Sequence, residues 1–435
     1  MIETGAGRIR DRVTSRIVAM SLLALAGCGD RSAGFTPAAG ASGATNPPAA
    51  TGGDAGTASP IGDEVADAGS GPASADRHDG DDESESFDAD VAPDAPSTDG
   101  MAVNTGSRDA SGAADTGAAG GCTGGAADPL VGWASVAGLN VDTTTGGAAG
   151  PTVKVSSLSD LNTNAGGTAA RILEISGKIA GNVTIGSNKT LVGSCGAEID
   201  GHIQMTGSVN VIVRSLTIVG YNCTDNPSDC SGGADAVTVE RQAHHLWFDH
   251  DDISNGSDGN LDITHASDFI TVSWTKFHYS GRRTDPAGAA GGHQFSNLIG
   301  HSDSNASEDT GHLTVTFHHD WWADNVVERM PRVRFGRVHL FDNLYTAVGD
   351  DYCVGVGVNA NIRDENDVFV GVKNPIDSQD YSNSASIIQS SGDLFQTTTG
   401  TTQDIGGTAF TPPYPYTLDP ASDVETAVKN GAGPQ

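Results

Sequence analysis

The sequence predicts an all-β protein, a parallel β-helix preceded by a disordered N-terminal spacer. Three observations favour this fold class. Large apolar residues are scarce up to residue 121 and occur regularly after it. In the later part, short runs rich in Val, Ile, Thr and aromatic residues alternate with Gly, Asn, Asp and Ser, which is a strand-and-turn pattern. Several of these runs also recur at a nearly constant spacing, which is typical of stacked coils.

The first 28 residues have the features of an export signal. Four arginines precede the apolar run "IVAMSLLALAGC", which is too short to span a bilayer. The run ends in Leu25-Ala26-Gly27-Cys28, which resembles the bacterial lipobox, where the cysteine becomes the lipid-modified N-terminus. We therefore expect a lipoprotein anchored at Cys28 to a membrane, on the cell surface or in the periplasm. The alternative is an ordinary secretory signal, a secreted protein and an incidental Cys28.

Residues 29–121 are predicted to form a disordered acidic linker. Segments such as "AAGASGATNPPAATGGDAG" and "DRHDGDDESESFDADVAPDAP" contain too little apolar surface to offset the entropy lost on ordering. Gly- and Ser-rich chains are flexible, and like charges extend a chain by repulsion. We interpret this part as a solvated tether rather than a binding segment.

Residues 122–435 are predicted to form a single β-helix domain. Five similar runs can be aligned on apolar anchors, and two of the successive spacings are 24 and 25 residues; the anchors are Ile212, Leu246, Ile270, Leu313 and Val338. The longer spacings contain the loop around Cys223 and the insertion "RRTDPAGAAGGHQFS". A fixed period with insertions at particular turns favours stacked coils over a β-sandwich, the alternative. One short helix is predicted near residues 157–165.

The cysteines are consistent with an oxidising compartment. Cys223 and Cys230 flank the short loop "TDNPSD" and are predicted to form a local disulfide. The other three mature-chain cysteines allow one further bridge and one free thiol, in a pairing that sequence leaves open; they are Cys122, Cys195 and Cys353. The chain has no Cys-x-x-Cys pair, which argues against a zinc site.

Three aspartates are candidate metal ligands. Asp235 and Asp258 are 23 residues apart, about one coil, so we expect one to lie above the other, with Asp262 within reach. Carboxylates this close repel each other, and a hard cation such as Ca²⁺, which prefers oxygen ligands, would relieve the repulsion. The alternative is that all three simply form turns beside Gly and Ser.

An arginine cluster stands out from the acidity of the chain. The sequence has 23 Lys and Arg against 55 Asp and Glu, a formal net charge of −32. Four arginines nevertheless lie within "RMPRVRFGR", at 329, 332, 334 and 337. Period-two geometry places Arg332 and Arg334 on one strand face. Clustered guanidinium groups bind carboxylates or phosphates, or form internal ion pairs. The acidic chain and the lack of an extended basic stripe exclude nucleic acid as the partner.

Six motifs in order carry a resemblance to a known family. They are "LWFDHDDIS", "DGNLDIT", "NLIGHSDS", "LTVTFHHDWW", "RMPRVRFGRVHLFDNLY" and "TTTGG". The chain from about Gly132 onward thereby resembles the pectate lyase 1 family (polysaccharide lyase family 1). The resemblance implies a right-handed parallel β-helix that cleaves polygalacturonate by β-elimination and needs Ca²⁺. It also implies that Asp235, Asp258 and Asp262 bind calcium, and that Asp249 and His250 are a buried structural motif near the substrate groove.

The resemblance implies distinct roles for two of the arginines. Arg329 matches the residue that takes the substrate proton, and Arg334 matches one that binds a substrate carboxylate. Arg332 and Arg337 match no role and are expected to be paired surface charges. Two positions depart from the family pattern: Phe295 stands where the family has a substrate-binding lysine, and Asp320 where it often has Asn. His293 and the arginines of the insertion, Arg282 and Arg283, are nearby cations that could replace the lysine.

Other activities remain open at this point. A pectin lyase acting on methyl-esterified polymer would need no calcium bridge, so Asp258 and Asp262 argue against it. A non-catalytic polysaccharide-binding β-helix would not need Arg329. A hydrolase would need a carboxylic acid paired with a carboxylate that activates water, and no such pair is distinguishable. We expect a monomer whose partners are the polymer substrate and, through the lipid, a membrane.

Overall fold

The computed structural model describes residues 129–220, 234–281, 293–379 and 381–435. The predicted signal, lipidated Cys28, the linker and the Cys223–Cys230 pair lie outside these residues, as do Arg282 and Arg283. Within the described ranges no helix has both the length and the apolarity needed to cross a bilayer. Cys195 is disulfide-bonded, and Cys353 is a free, fully buried thiol.

Three parallel sheets wind into a right-handed parallel β-helix, as predicted, and every strand pair within them is parallel. Each complete coil contributes one strand to each sheet, so side chains that point inward bury against the coils above and below. The ten-stranded sheet contains β1 (Thr152–Val155), β2 (Arg171–Ile175), β5 (Lys189–Gly193), β8 (Val209–Arg214), β11 (His244–Asp249), β14 (Asp268–Ser273), β17 (Thr314–His318), β20 (Arg337–Phe341), β23 (Asn361–Glu365) and β26 (Ile387–Ser391).

The other two sheets complete each coil. The eight-stranded sheet contains β4 (Val183–Thr184), β7 (Ile203–Thr206), β10 (Val237–Glu240), β13 (Leu261–Ile263), β16 (Leu298–Ile299), β19 (Arg332–Val333), β22 (Val354–Val356) and β25 (Ile376–Asp377). The nine-stranded sheet contains β3 (Lys178–Ala180), β6 (Glu198–Asp200), β9 (Thr217–Val219), β12 (Asp252–Ser254), β15 (Lys276–His278), β18 (Trp321–Trp322), β21 (Leu344–Tyr345), β24 (Val368–Val370) and β27 (Leu394–Gln396).

Helices are short and lie outside the coils. A 3-10 turn spans Trp133–Ser135, and the α-helices are α1 (Leu158–Ala165), α2 (Ala306–Asp309) and α3 (Ala421–Gly431). The structure confirms the helix expected near residues 157–165, where the hydroxyl of Ser157 accepts the N–H of Asp160 as an N-cap. Helix α3 buries Val424 and Val428 against the outer face of the nine-stranded sheet.

The observed register corrects two of the five predicted anchors. Leu246 pairs with Val211, not Ile212, and Ile270 pairs with Val315, not Leu313. Leu246, Ile270 and Val338 are stacked core positions as expected. Ile212 is off by one residue, a slip that exchanges the inward and outward faces of a strand, whereas Leu313 is off by two residues and lies just before β17.

Aromatic rings stack along the interior behind the nine-stranded sheet. Trp322 lies between Phe277 and Tyr345, with ring centroids 5.7 and 4.7 Å away. Tyr345 in turn stacks on Phe369 at 4.2 Å. Because each ring comes from the same position of successive coils, the stack extends the parallel register into the core.

A ladder of polar side chains follows the turn between the ten- and nine-stranded sheets. In each rung, a side-chain oxygen accepts the backbone N–H of the equivalent residue one coil earlier, over 2.7–3.4 Å. We call this set the turn ladder; its members are Asp251, Thr275, Asp320, Asn343, Asp367 and Asp393. Asp320, which departs from the family pattern, is one of its rungs. The ladder satisfies buried turn amides that have no strand partner.

Candidate active site

Four adjacent strands of the eight-stranded sheet bring the predicted residues together. The strand order is β10, β13, β16 and β19. Asp235 lies just before β10, Asp262 is the central residue of β13, and Arg329 and Arg334 flank β19. Residues distant in sequence therefore meet because each lies in or beside a strand of this sheet on successive coils.

Asp235 and Asp262 face each other across the missing side chain of Gly259. A methyl group on Gly259 would lie 2.6 Å from Oδ1 of Asp262 and 3.1 Å from Oδ1 of Asp235. The Thr238 hydroxyl donates to Oδ2 of Asp235 at 2.6 Å, and the Leu298 amide donates to Oδ1 of Asp262 at 2.9 Å. Each carboxylate is thus held by one donor while both border the same small space.

The predicted stacking of Asp235 on Asp258 is wrong by one residue. Val237 pairs with Leu261, and the Ala236 amide donates to the Gly259 carbonyl at 2.9 Å. Asp235 therefore lies level with Gly259, next to Asp258 in the chain. The shift places Asp262, rather than Asp258, with Asp235 in the buried part of the site.

Burial dominates the electrostatics of this carboxylate pair. Desolvation, followed by the charge of Asp262, raises the pKa of Asp235 well above its usual range. Desolvation raises the pKa of Asp262 to about 7, against the opposing effect of Arg329. Two buried carboxylates that repel each other favour a neutralising proton or cation.

Asp258 lies at the rim of the site and behaves differently. Its side chain is 45% exposed, and its Oδ1 lies 3.1 Å from Nδ1 of His293. The hydrogen bond with His293 is the largest of the effects that lower the pKa of Asp258. This carboxylate is consequently ionised and has a partner that an incoming cation would displace.

The donor set fits a hard, oxygen-seeking cation. Oδ1 of Asp235 is buried without a hydrogen-bond partner, and Gly259 leaves the space beside it open. Carboxylate oxygens in a flexible, non-contiguous arrangement are the ligands that Ca²⁺ prefers. Within the part of the chain that the structure describes, no three His, Cys, Asp or Glu side chains already converge as a metal cage. Asp235 and Asp262 would therefore form its core, with Asp258 joining from the rim.

Arg329 lies on the opposite side of the site, on an aromatic ring. Its guanidinium carbon is 4.3 Å from the ring centroid of Phe295. Its Nε is buried without a hydrogen-bond partner. Its φ of 62° interrupts the extended chain just before β19. Arg329 is also the cation that lowers the pKa of both Asp235 and Asp262, so it acts on the whole carboxylate pair.

Arg334 is buried and already engaged. Its Nε donates to Oδ1 of Asp303 at 2.6 Å, with 4% of its own side chain and 55% of that of Asp303 exposed. Its Nη1 donates to the carbonyls of Gly300 and His301. Desolvation lowers the pKa of Arg334. A substrate carboxylate at Arg334 would have to share or replace Asp303.

The other two arginines differ from each other. Arg332 and Arg334 lie on one strand face as predicted, packed against Gly355 and Gly357 of the next coil. Arg332 is no surface charge, because it is buried with its guanidinium carbon 4.0 Å from the ring centroid of Tyr381. Arg337 is exposed, but it belongs to the ten-stranded sheet, over Trp133.

Asp249 and His250 also lie elsewhere. Asp249 ends β11 of the ten-stranded sheet, fully buried, with its Oδ1 2.9 Å from Nδ1 of His250. It accepts the Ser273 hydroxyl as well. The pair is scaffold, as predicted, but it is not beside the site on the eight-stranded sheet.

Sequence reasoning missed Tyr279. Its buried hydroxyl donates to the carbonyls of Gly256 and Phe295, at 3.0 and 2.7 Å. Desolvation, then the charges of all three site aspartates, raise its pKa well above the usual range. Tyr279 therefore joins the segment before β13 to the one before β16. No motif marks it, because its partners are backbone atoms.

Comparisons with known proteins agree with this architecture. The family described as pectate lyase matches residues 95–435. Pectate lyase E of Dickeya chrysanthemi is 31% identical over 69% of this chain and 89% of its own length, and pectate lyase A of Aspergillus niger is 34% identical over 70% and 88%. The fold is similar to that of a Bacillus sp. pectate lyase solved with trigalacturonate (TM-score 0.55, 21% identity, 70% of this chain and 98% of that chain).

The fold and these similarities define the class of protein first: it is an enzyme, a polysaccharide lyase built on a right-handed parallel β-helix. The match over residues 95–435 and the identities above 30% then specify the family. The chain belongs to the pectate lyase family.

Proposed function

We propose that the enzyme cleaves polygalacturonate by β-elimination, with Ca²⁺ as cofactor, to give unsaturated oligogalacturonides. The observation that carries this proposal is the juxtaposition of Asp235 and Asp262 with Arg329 on one sheet. A pair of carboxylates that can hold a cation suits the carboxylate of the substrate. An arginine whose Nε has no hydrogen-bond partner suits the acidic C–H beside that carboxylate. Trigalacturonate bound to the fold relative supports the same class of polymer.

Elimination needs a base for the C5 proton. Arg329 takes that proton, and the electron pair of the C5–H bond becomes the C4–C5 double bond. The C4–O bond breaks with its electron pair leaving on the oxygen, which takes up a proton from water. Arg334 is a neighbouring cation, since the charge of Arg329 is among the causes that lower the pKa of Arg334.

Calcium, when bound, supplies electrostatic stabilisation of the charge that develops on the substrate carboxylate. Asp235 and Asp262 would hold it from the buried side and Asp258 from the rim. Arg334 orients a second substrate carboxylate, with Asp303 as the group that it exchanges. The neighbouring strands β7 and β4 continue the same face as a groove that also borders the end of α1. Its lining includes polar side chains that suit the hydroxyls of a longer polymer, among them Thr184, His202, Gln204 and Thr206.

The test is incubation of the folded domain with polygalacturonate, with calcium or with chelator, followed by ultraviolet absorbance of the unsaturated product. We expect product with calcium and none with chelator. Absence of product with calcium rejects the lyase proposal. Product that is indifferent to chelator moves the assignment to a calcium-independent lyase, and comparing polygalacturonate with methyl-esterified pectin then identifies a pectin lyase.

We also propose that residues 1–28 direct export and that Cys28 carries lipid, with residues 29–121 as the tether of the 122–435 domain. The proposal is supported by the sequence "LAGC" after a short apolar run. Radiolabelled palmitate should be incorporated into the wild type and lost in Cys28→Ser, which should appear in the soluble fraction. Equal labelling of both proteins would contradict lipidation at Cys28.

A further inference from the structure

Phe295 lies in the middle of a stack of two rings and a guanidinium group next to the carboxylates. Its ring centroid is 4.5 Å from that of His293, with ring planes 24° apart. On its other side lies the guanidinium of Arg329, at 4.3 Å. The ring is 8% exposed, so almost all of its surface is used by these contacts and by the core.

The backbone of Phe295 is held in place. Its carbonyl accepts the Tyr279 hydroxyl at 2.7 Å. It forms a parallel bridge with Glu328, the residue before Arg329, and the next amide, of Ser296, donates to the Glu328 carbonyl at 3.0 Å. This bridge between successive coils fixes the position of the Phe295 ring relative to the backbone of Arg329.

An aromatic face restrains a guanidinium without using its N–H groups. The attraction is between the cation and the negative face of the ring, whereas a carboxylate would engage the N–H groups as hydrogen-bond donors. Arg334, paired with Asp303 through Nε, shows the second arrangement. Arg329 shows the first, and its Nε has no hydrogen-bond partner.

We propose that Phe295 is a positioning residue for Arg329: it fixes the plane of the guanidinium toward the carboxylate pair while leaving the nitrogen atoms for the substrate. This role rests on the proposed function, because it concerns the residue that takes the C5 proton. This role would explain an aromatic side chain at the position where the family has a substrate-binding lysine.

The experiment compares Phe295→Leu and Phe295→Met, which remove the ring, with Phe295→Tyr, which keeps it. A displaced base lowers kcat without weakening substrate binding, so we expect kcat to fall about 10- to 100-fold in the first two, with KM within about 2-fold. Phe295→Tyr should retain kcat within about 3-fold, because its ring offers the same face to the cation.

A matched control removes the same kind of contact elsewhere. Tyr381 stacks on Arg332 at 4.0 Å, and Arg332 has no role in the proposed reaction. Tyr381→Leu should lower the melting midpoint to a similar extent as Phe295→Leu and leave kcat within about 2-fold of wild type. Crystal structures of Phe295→Leu and wild type would show whether the guanidinium has moved.

The outcomes separate the two proposals. A wild type that forms no unsaturated product rejects the proposed function, and the role of Phe295 with it. An active wild type whose Phe295→Leu and Phe295→Met variants keep their kcat rejects only the role of Phe295. So does an equal loss in Phe295→Tyr, or a rise in KM at constant kcat, which would make Phe295 a substrate contact.

Discussion

Two regions of the molecule bury aspartates in different surroundings: the site beside the arginines on the eight-stranded sheet, and the turn ladder between the other two sheets. Burial raises the pKa of the carboxyl in both, as Asp235 at the site and Asp320 in the ladder show. The surroundings differ. Asp235 and Asp262 lie within the field of Arg329, whereas the charged neighbours that act on Asp320 are two further carboxylates, Asp367 and Asp249.

The difference teaches how one residue type serves two purposes. The ladder carboxyls accept backbone amides deep in a turn, so a proton is the simplest way to neutralise them. The site carboxylates border a space beside Gly259 and a rim residue that is 45% exposed. A cation from solvent can reach them there. The buried carboxylates of the site are therefore expected to bind calcium but to lower the stability of the calcium-free protein. The ladder carboxyls are expected to lower stability when they ionise.

Replacing Arg329 should have the largest effect, and it tests the charged group that distinguishes the site from the turn ladder. Arg329→Lys should lower kcat by about 100- to 10,000-fold, because a shorter point charge cannot reproduce the position of the guanidinium nitrogens. Initial rates of unsaturated-product formation measure it. Arg337→Lys, an exposed arginine on the ten-stranded sheet, is the control and should be unaffected. Undiminished turnover in Arg329→Lys would reject Arg329 as the base.

Neutralising a site carboxylate should separate calcium binding from stability. Asp262→Asn should weaken calcium binding about 100-fold, since affinity depends on the charge of the ligand set. It should also raise the free energy of unfolding in chelator by about 1 kcal/mol. The reason is that a neutral amide avoids the cost of burying a carboxyl whose pKa is raised in the folded state. Titration calorimetry and urea unfolding measure the two effects. Calcium binding as tight as in wild type would contradict the assignment of Asp262.

Neutralising a ladder carboxyl should change stability without changing calcium binding. The pKa of Asp320 is raised in the folded state by burial, so its stabilisation is complete below the ordinary carboxyl pKa of about 4 and is lost as pH rises toward the folded value. Asp320→Asn does not titrate, and its side chain can still accept the Thr275 amide.

Urea unfolding of the Asp320→Asn variant at pH 5 and pH 8 measures this effect. The loss of stability between these values should be about 1–2 kcal/mol smaller than in wild type, within the range for a buried polar group. Calcium affinity is the control and should be unchanged. An identical pH dependence in the two proteins would mean that Asp320 is not titrating in this range.

The smallest expected effect concerns a carboxylate that belongs to neither region. Asp303 is half exposed and pairs with Arg334 through one short hydrogen bond. If a substrate carboxylate replaces Asp303, Asp303→Asn should lower KM about 2- to 3-fold, as exposed ion pairs contribute about 1 kcal/mol or less. Steady-state kinetics at low and high salt measure it. A raised KM would indicate that Asp303 instead orients Arg334 for the substrate.

The register of the coils marks where sequence reasoning stopped being sufficient. The period, the helix α1 and the order of the motifs were visible in the chain, and the structure confirms the β-helix, whereas α2 and α3 were not predicted. Two anchors, Ile212 and Leu313, were nevertheless placed wrongly, and Asp235 was paired with Asp258 instead of facing Asp262. Alternating apolar residues do not distinguish neighbouring registers when both faces of a strand are buried, as in β17, where all five residues are.

The sequence by itself determined the repeating coil, the residue types at the site and the family, because periodicity and motif order are properties of the chain. Tertiary structure alone decided which of these residues meet: Asp262 with Asp235 at Gly259, Arg329 on Phe295, and Arg332 beneath Tyr381. It also decided which carboxyls have a pKa raised by burial. Those outcomes depend on contacts between coils that are 20 or more residues apart and on burial, and neither is encoded in local spacing.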